Sequence, residues 1–216
     1  WMDPHFIRPN GEMVGQDVAY LKKDAYLNID FFTIRAILYF AIWVVFAEVL
    51  RWASFKQDDD GDGKWTQVCR NTAAAGIALV GLAVTVAAFD WVLSLEYHWF
   101  STMYGVWFFA ASMRGGLSMT LLIAVWLYAR GDYKGILNKN HLWSVGQLIL
   151  VFTIFWGYIC FAQYFLIWNA NLPEETFFFV IREHGDWYWV GMILLFGYFF
   201  IPFCYLLSYR YKVVQN

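Results

Sequence analysis

The stretch Asn71–Thr102, NTAAAGIALVGLAVTVAAFDWVLSLEYHWFST, decides how this chain is read. Its first nineteen residues, Asn71 to Phe89, carry no charge, and Asp90, Glu96 and His98 then follow close together. A helix crosses the hydrocarbon of a bilayer with about 20 mainly apolar residues. The uncharged run has that length, and the ionisable residues mark its end.

Composition agrees. With 61% hydrophobic, 22% aromatic and only 15% charged residues and a mean hydropathy of +0.46, a soluble domain of 216 residues would have more apolar surface than it could bury. Five segments reach crossing length: 31–53, 72–95, 103–129, 142–168 and 187–209. None alternates apolar and polar residues as a membrane barrel strand does. The expected fold is all-α, a polytopic bundle of five transmembrane helices in one membrane domain over 1–216. Within it, 1–29 is expected as a periplasmic segment and 30–211 as the bundle. The chain opens at Trp1 on a polar stretch, Met2 to Asn28, and reads as an interior piece of a longer protein.

Lys and Arg set the expected orientation. Five crossings place Arg8, Lys22, Lys23 and Arg182 on one side, and Arg51, Lys56, Lys64, Arg70, Arg130, Lys134, Lys139, Arg210 and Lys212 on the other. The positive-inside tendency puts 54–70 and 130–141 in the cytoplasm, and 96–102 and 169–186 on the periplasmic side.

Several cofactor chemistries lack their motifs. Cys69, Cys160 and Cys204 form no CxxC, so neither an iron–sulfur cluster nor attached haem is expected on this chain. His5, His98, His141 and His184 fall in loops or at helix ends, where no pair can clamp a haem inside the bundle. Asp58, Asp60, Asp62 and Gly63 match the first half of an EF-hand loop. Its twelfth position is Cys69 where a bidentate Glu is needed, so the acidic run reads as a solvated turn. No metal and no nucleic-acid partner are expected.

The ionisable residues inside the apolar runs carry the functional argument, since each costs roughly 2.5–3.5 kcal/mol at mid-membrane. A rise of about 1.5 Å per residue puts Arg35 at ~6 Å and Asp90 at ~7 Å from the same face, Glu48 at ~25 Å and Arg114 at ~21 Å. Depth therefore allows two pairs, Arg35 with Asp90 and Glu48 with Arg114. The fourth segment adds Gln147, Thr153, Tyr158, Gln163 and Tyr164, which can line a water chain or bond neighbouring helices. Between the fourth and fifth segments, Asn171, Pro173, Glu174, Glu175 and Gly185 predict a short interfacial helix, capped by Asn171 and ended by Gly185, with Phe177, Phe178 and Phe179 on lipid or a partner.

The segments AYLNIDFFTIRAILYFAIW at 25–43, FDWVLSLEYHWFSTMYGVWFFA at 89–110 and FTIFWGYICFAQYFLIWNANLPEETFFFVIR at 152–182 resemble a membrane subunit of bacterial alternative complex III, the quinol:cytochrome c (or electron carrier) oxidoreductase. The resemblance covers roughly residues 20–211 and is to the NrfD-like, or polysulfide-reductase-like, subunits, specifically the one labelled quinone-binding subunit 2. The chain departs from that pattern at Tyr97, where Pro usually precedes the His-Trp pair. The resemblance implies a subunit of about ten helices, of which five lie here, in a bacterial inner membrane. The implied partners are a sister NrfD-like membrane subunit, a periplasmic iron–sulfur subunit, pentahaem and monohaem cytochromes c, and lipids. Iron–sulfur clusters and haem c belong to those partners, and quinone or menaquinone to the complex.

Three readings follow. The first is a proton-conducting subunit without a redox centre, its path drawn from Glu48, Asp90, Glu96, His98, Arg114, Tyr158, Gln163 and Tyr164, with Arg35 as charge partner. The second is a quinol-binding subunit that uses the Asp90–His98 region as proton acceptor. The third is a structural anchor for the periplasmic subunits.

Overall fold

A computed structural model describes residues 1–7, 11 and 13–208. Arg8, Arg210 and Lys212 of the charge count lie outside the described residues, as does the last part of the expected fifth segment. The described residues are helical, apart from turns and an antiparallel bridge between Ile7 and Met13.

In chain order, α1 is the short helix Val18–Leu21, preceded by a 3-10 turn, Val14–Gln16. Helices α2 (Ile29–Asp60), α3 (Lys64–Trp91), α4 (Tyr104–Arg130) and α5 (Lys139–Ala170) follow, then α6 (Pro173–Arg182), α7 (Asp186–Met192) and α8 (Ile201–Leu207). A 3-10 turn, Leu93–Glu96, continues α3, and a π-helical segment, Ile193–Phe200, joins α7 to α8. Five spans are long and apolar enough to cross a membrane: α2, α3 with its turn, α4, α5 and Asp186–Leu207.

The helices outrun the apolar windows. The expected 54–70 loop shrinks to the turn Gly61–Gly63, because hydrocarbon limits where charges sit and not where a helix stops. Gly61 stops α2 by adopting φ 66°, a left-handed conformation that costs glycine nothing, and its N–H reaches the Gln57 carbonyl at 2.9 Å. Asn28 starts α2, its side chain accepting the Phe31 N–H at 2.9 Å. Asn138 and His141 form a capping box at the start of α5.

Two compact units make up the chain, Trp1–Gly105 and Val106–Asn216. In the first, α2 packs against α3 around Tyr39, Ala83 and Ala87, with Ile42, Trp43, Val86 and Trp91 beside them. Small residues on α3 let the backbones close up, as interfaces inside lipid require. A second cluster of Val14, Tyr20, Leu27 and Tyr97 ties the amino-terminal segment to the end of α3. The extramembrane segment is thus a folded cap.

In the second unit, α5 buries a stripe of Leu142, Gly146, Ile149, Leu150, Thr153, Trp156 and Ile159, the three-and-four spacing of one helix face. Phe152 and Trp156 meet Phe109 and Trp107 of α4, and Trp156 meets Tyr198 of the fifth span at 4.8 Å. A π-helical run, Ile193–Phe200, lies just before Pro202. Proline has no N–H to return to the carbonyl four residues back, which is that of Tyr198.

Around α6 the capping expectation needs correcting. Asn171 ends α5 in a left-handed conformation at φ 49°, and Leu172 precedes α6 with no side-chain cap. Gly185 at φ 63° precedes α7, while Glu183 ends α6. Asn tolerates φ > 0 better than most residues other than Gly, so its position after a long helix makes it a stop rather than a start. Phe179 packs on Tyr164 of α5 at 5.4 Å.

Candidate functional site

At the Asn28 end of α2 the sequence puts Arg35 two turns inside the helix, and Tyr39 follows one turn later on the same face. Helix α3 runs antiparallel and brings Asp90 level with them. Arg35 donates from Nε to Asp90 Oδ2 at 2.8 Å and from Nη2 to Oδ1 at 3.0 Å, a bidentate pair. The Tyr39 hydroxyl donates to Oδ2 at 2.6 Å. Asp90 is 1% exposed and Arg35 7%, so the expected Arg35–Asp90 pair forms in a dry setting.

Tyr26 completes this shell. Burial, with the nearby Asp90 carboxylate next, pushes its pKa up to about 12. Arg35 Cζ lies 4.0 Å above the Tyr26 ring and 4.1 Å from the Phe31 ring, and its Nη2 also reaches the Tyr26 carbonyl at 3.2 Å. One nitrogen, Nη1, is buried without an acceptor among the described residues.

Beyond Asp90 the chain turns, and His98 enters a second cluster with the cap. His98 Nε2 lies 2.9 Å from Asp17 Oδ2, which also accepts the Tyr97 hydroxyl at 3.1 Å. The other Asp17 oxygen caps α1 by taking the Ala19 N–H at 2.8 Å. Lys23 donates to the Tyr97 carbonyl at 2.6 Å, and burial lowers the pKa of its ammonium below the ordinary value. The side chain of Trp1 donates to Ser94 Oγ at 3.1 Å, and Ser94 in turn donates to the Asp90 carbonyl.

Between the two clusters lies a cavity of about 200 Å³. It is lined by Lys23, Tyr26, Leu27, Phe89, Leu93, Ser94, Tyr97, Trp99 and Phe100. Tyr26, beside Asp90, and Tyr97, bonded to Asp17, line the same space. The walls are almost wholly apolar.

The other predicted residues fall elsewhere. Glu96 stays outside both clusters, its main-chain carbonyl accepting the Trp99 N–H at 3.0 Å. The expected Glu48–Arg114 pair gives way to other partners. Glu48 takes Arg51, one turn along its own helix, and both side chains are more than half exposed. Because α2 begins at Ile29 and runs to Asp60, Glu48 lies ~29 Å from its start, past mid-membrane. Arg114, 8% exposed, donates to the Tyr198 carbonyl and lies 3.8 Å from the Tyr198 ring.

Nor do the polar residues of α5 form one line. Thr153 is fully buried and bonds back to the Ile149 carbonyl at 2.7 Å, while Tyr158 is 66% exposed. Five residues turn a helix by about 140°, so the two face apart. Gln163 is half-buried, and Tyr164 reaches Glu183 near the helix end at 2.8 Å.

Sequence reasoning missed Tyr26, Tyr39, Asp17, Lys23 and Tyr97. Tyr39 had a local signal, four residues after Arg35. The others reach the site only because the cap folds back. No family model and no curated protein matches this sequence.

Proposed function

We propose that this chain is an integral membrane subunit of a respiratory quinol:electron-acceptor oxidoreductase, a non-redox subunit whose Asn28-end cluster exchanges protons with the outer face of a bacterial inner membrane. The observation that supports it best is the arrangement around the cavity. A fully buried carboxylate, Asp90, stands beside Tyr26 on one wall, and the His98–Asp17 pair bonds to Tyr97 on the other. Carboxylate, phenol and imidazole are the groups that pass protons at neutral pH when water fills the gap between them. The family assignment itself rests on the sequence resemblance.

The bidentate Arg35–Asp90 bond favours a second reading, in which Asp90 only neutralises Arg35 and the subunit anchors periplasmic partners. Asp90→Asn separates the two in purified, reconstituted complex. A proton-exchanging Asp90 predicts assembled complex with proton release lowered more than assembly. Wild-type quinol oxidation and proton release in assembled Asp90→Asn complex would remove Asp90 from any proton path.

A further inference from the structure

Arg114 poses a problem that its own unit does not solve. Helix α4 starts at Tyr104, so Arg114 sits ~15 Å along it, about half the thickness of a hydrocarbon core. A cation there calls for an anion, and its partners among the described residues are the neutral Tyr198 carbonyl and the Tyr198 ring. That carbonyl is available because Pro202 cannot donate to it. A guanidinium carries five N–H donors, and this contact uses one of its nitrogens.

A second donor points the same way. Trp156, 6% exposed, meets the same Tyr198 ring edge-on at 4.8 Å, and its indole N–H has no acceptor among the described residues. The cluster Arg114–Tyr198–Trp156 is rich in donors, carries a full positive charge and has no negative acceptor among the described residues.

We propose that a transmembrane helix outside residues 1–216 docks on this face and places an Asp or Glu carboxylate against Arg114. Depth selects this occupant. Lipid phosphates lie at the interface, too far from mid-membrane to pair with Arg114, whereas a carboxylate on a packed helix can stand at any depth if a cation meets it. The 8% of Arg114 left open is the entry for the carboxylate, and the surrounding apolar side chains make the helix contact. This inference goes beyond the proton reading and uses different residues.

The test uses the full protein, tagged and extracted in mild detergent with its partners. Arg114→Met should lower the recovery of assembled complex by about tenfold or more, because the partner's carboxylate is left buried and unpaired. The unassembled chain should keep its helical circular dichroism and protease resistance, and Arg114→Lys should retain most of the assembly. Arg114→Glu should be rescued by an Asp or Glu to Lys change in a helix outside 1–216. Wild-type assembly of Arg114→Met would overturn the proposal. Equal loss of assembly in Glu48→Gln would also overturn it, by making Glu48 the partner, as would parallel loss of folding in the unassembled Arg114→Met chain.

Discussion

Asp90 shows how one residue can be costly and stable together. Its carboxylate is buried, and three donors from two side chains surround it: Arg35 Nε and Nη2 and the Tyr39 hydroxyl. Removing one charge of such a pair leaves the other buried and unpaired, so Arg35→Met should lower stability by roughly 3–5 kcal/mol. Arg35→Met combined with Asp90→Leu should recover much of that loss. Thermal unfolding in detergent, followed by near-ultraviolet circular dichroism, would show the recovery, and a double variant no better than the single one would contradict it. Tyr26 makes a separate prediction through pH. Its pKa rises from 10.0 to about 12 on folding, so the folded state holds the phenolic proton where the unfolded chain releases it. The stabilising contribution is complete below pH 10 and is lost as pH rises towards 12. Tyr26→Phe should flatten that part of the stability curve between pH 9.5 and 11.5, to be read from melting temperatures across the range.

At the scale of elements, close approach of backbones decides which helices pair. A Cβ on Gly105 would lie 2.6 Å from the Thr85 carbonyl oxygen of α3. One on Gly157 of α5 would collide with the Phe199 ring in the π-helical segment. Backbone oxygen cannot move aside as a flexible side chain can, so Gly105→Ala should be the more disruptive change, by about 1–3 kcal/mol. Gly157→Ala tests something else, since Phe199 can yield only by shifting the segment that positions Tyr198. Its signature should be altered Arg114 function with modest loss of stability. Melting temperatures for both variants, with assembly measured as for Arg114→Met, would rank them, and a silent Gly105→Ala would refute the packing argument. The π-helical segment itself follows from Pro202, and the seam between α5 and the fifth span is built around it.

For the whole molecule, the orientation prediction remains the nine-to-four Lys and Arg imbalance, now attached to a narrower loop. The turn Gly61–Gly63 and residues 131–138 should face the cytoplasm, with the His98–Asp17 cluster and α6 on the opposite side. A cysteine placed at Asp60 in a variant lacking the native cysteines should resist a membrane-impermeant maleimide added from the periplasmic side. Rapid labelling there would reverse the topology and move the proposed proton exit to the other face. The amino-terminal cap makes the two ends of α2 and α3 chemically unequal: one carries the His98–Asp17 pair and a cavity lined in part by Lys23, the other a solvated acidic turn. That asymmetry is what a directional proton path would need.

Length, apolar runs and the spacing of charges determined the five spans, because crossing hydrocarbon is a constraint each helix meets by itself. The same one-dimensional reckoning of depth found Arg35 and Asp90 as partners, since an antiparallel hairpin of two helices leaves little freedom in level. It failed for Glu48 and Arg114, where a nearby Arg51 and a carbonyl opened by Pro202 supplied other contacts. Tyr26, Asp17, Lys23 and Tyr97 entered the site only through tertiary structure. No periodicity encodes a cap that folds back over a helix end, and contacts as distant in sequence as Asp17 with Tyr97 and His98 arise from packing around Val14, Tyr20 and Leu27. The helices were local in origin; the cavity between the two networks was not.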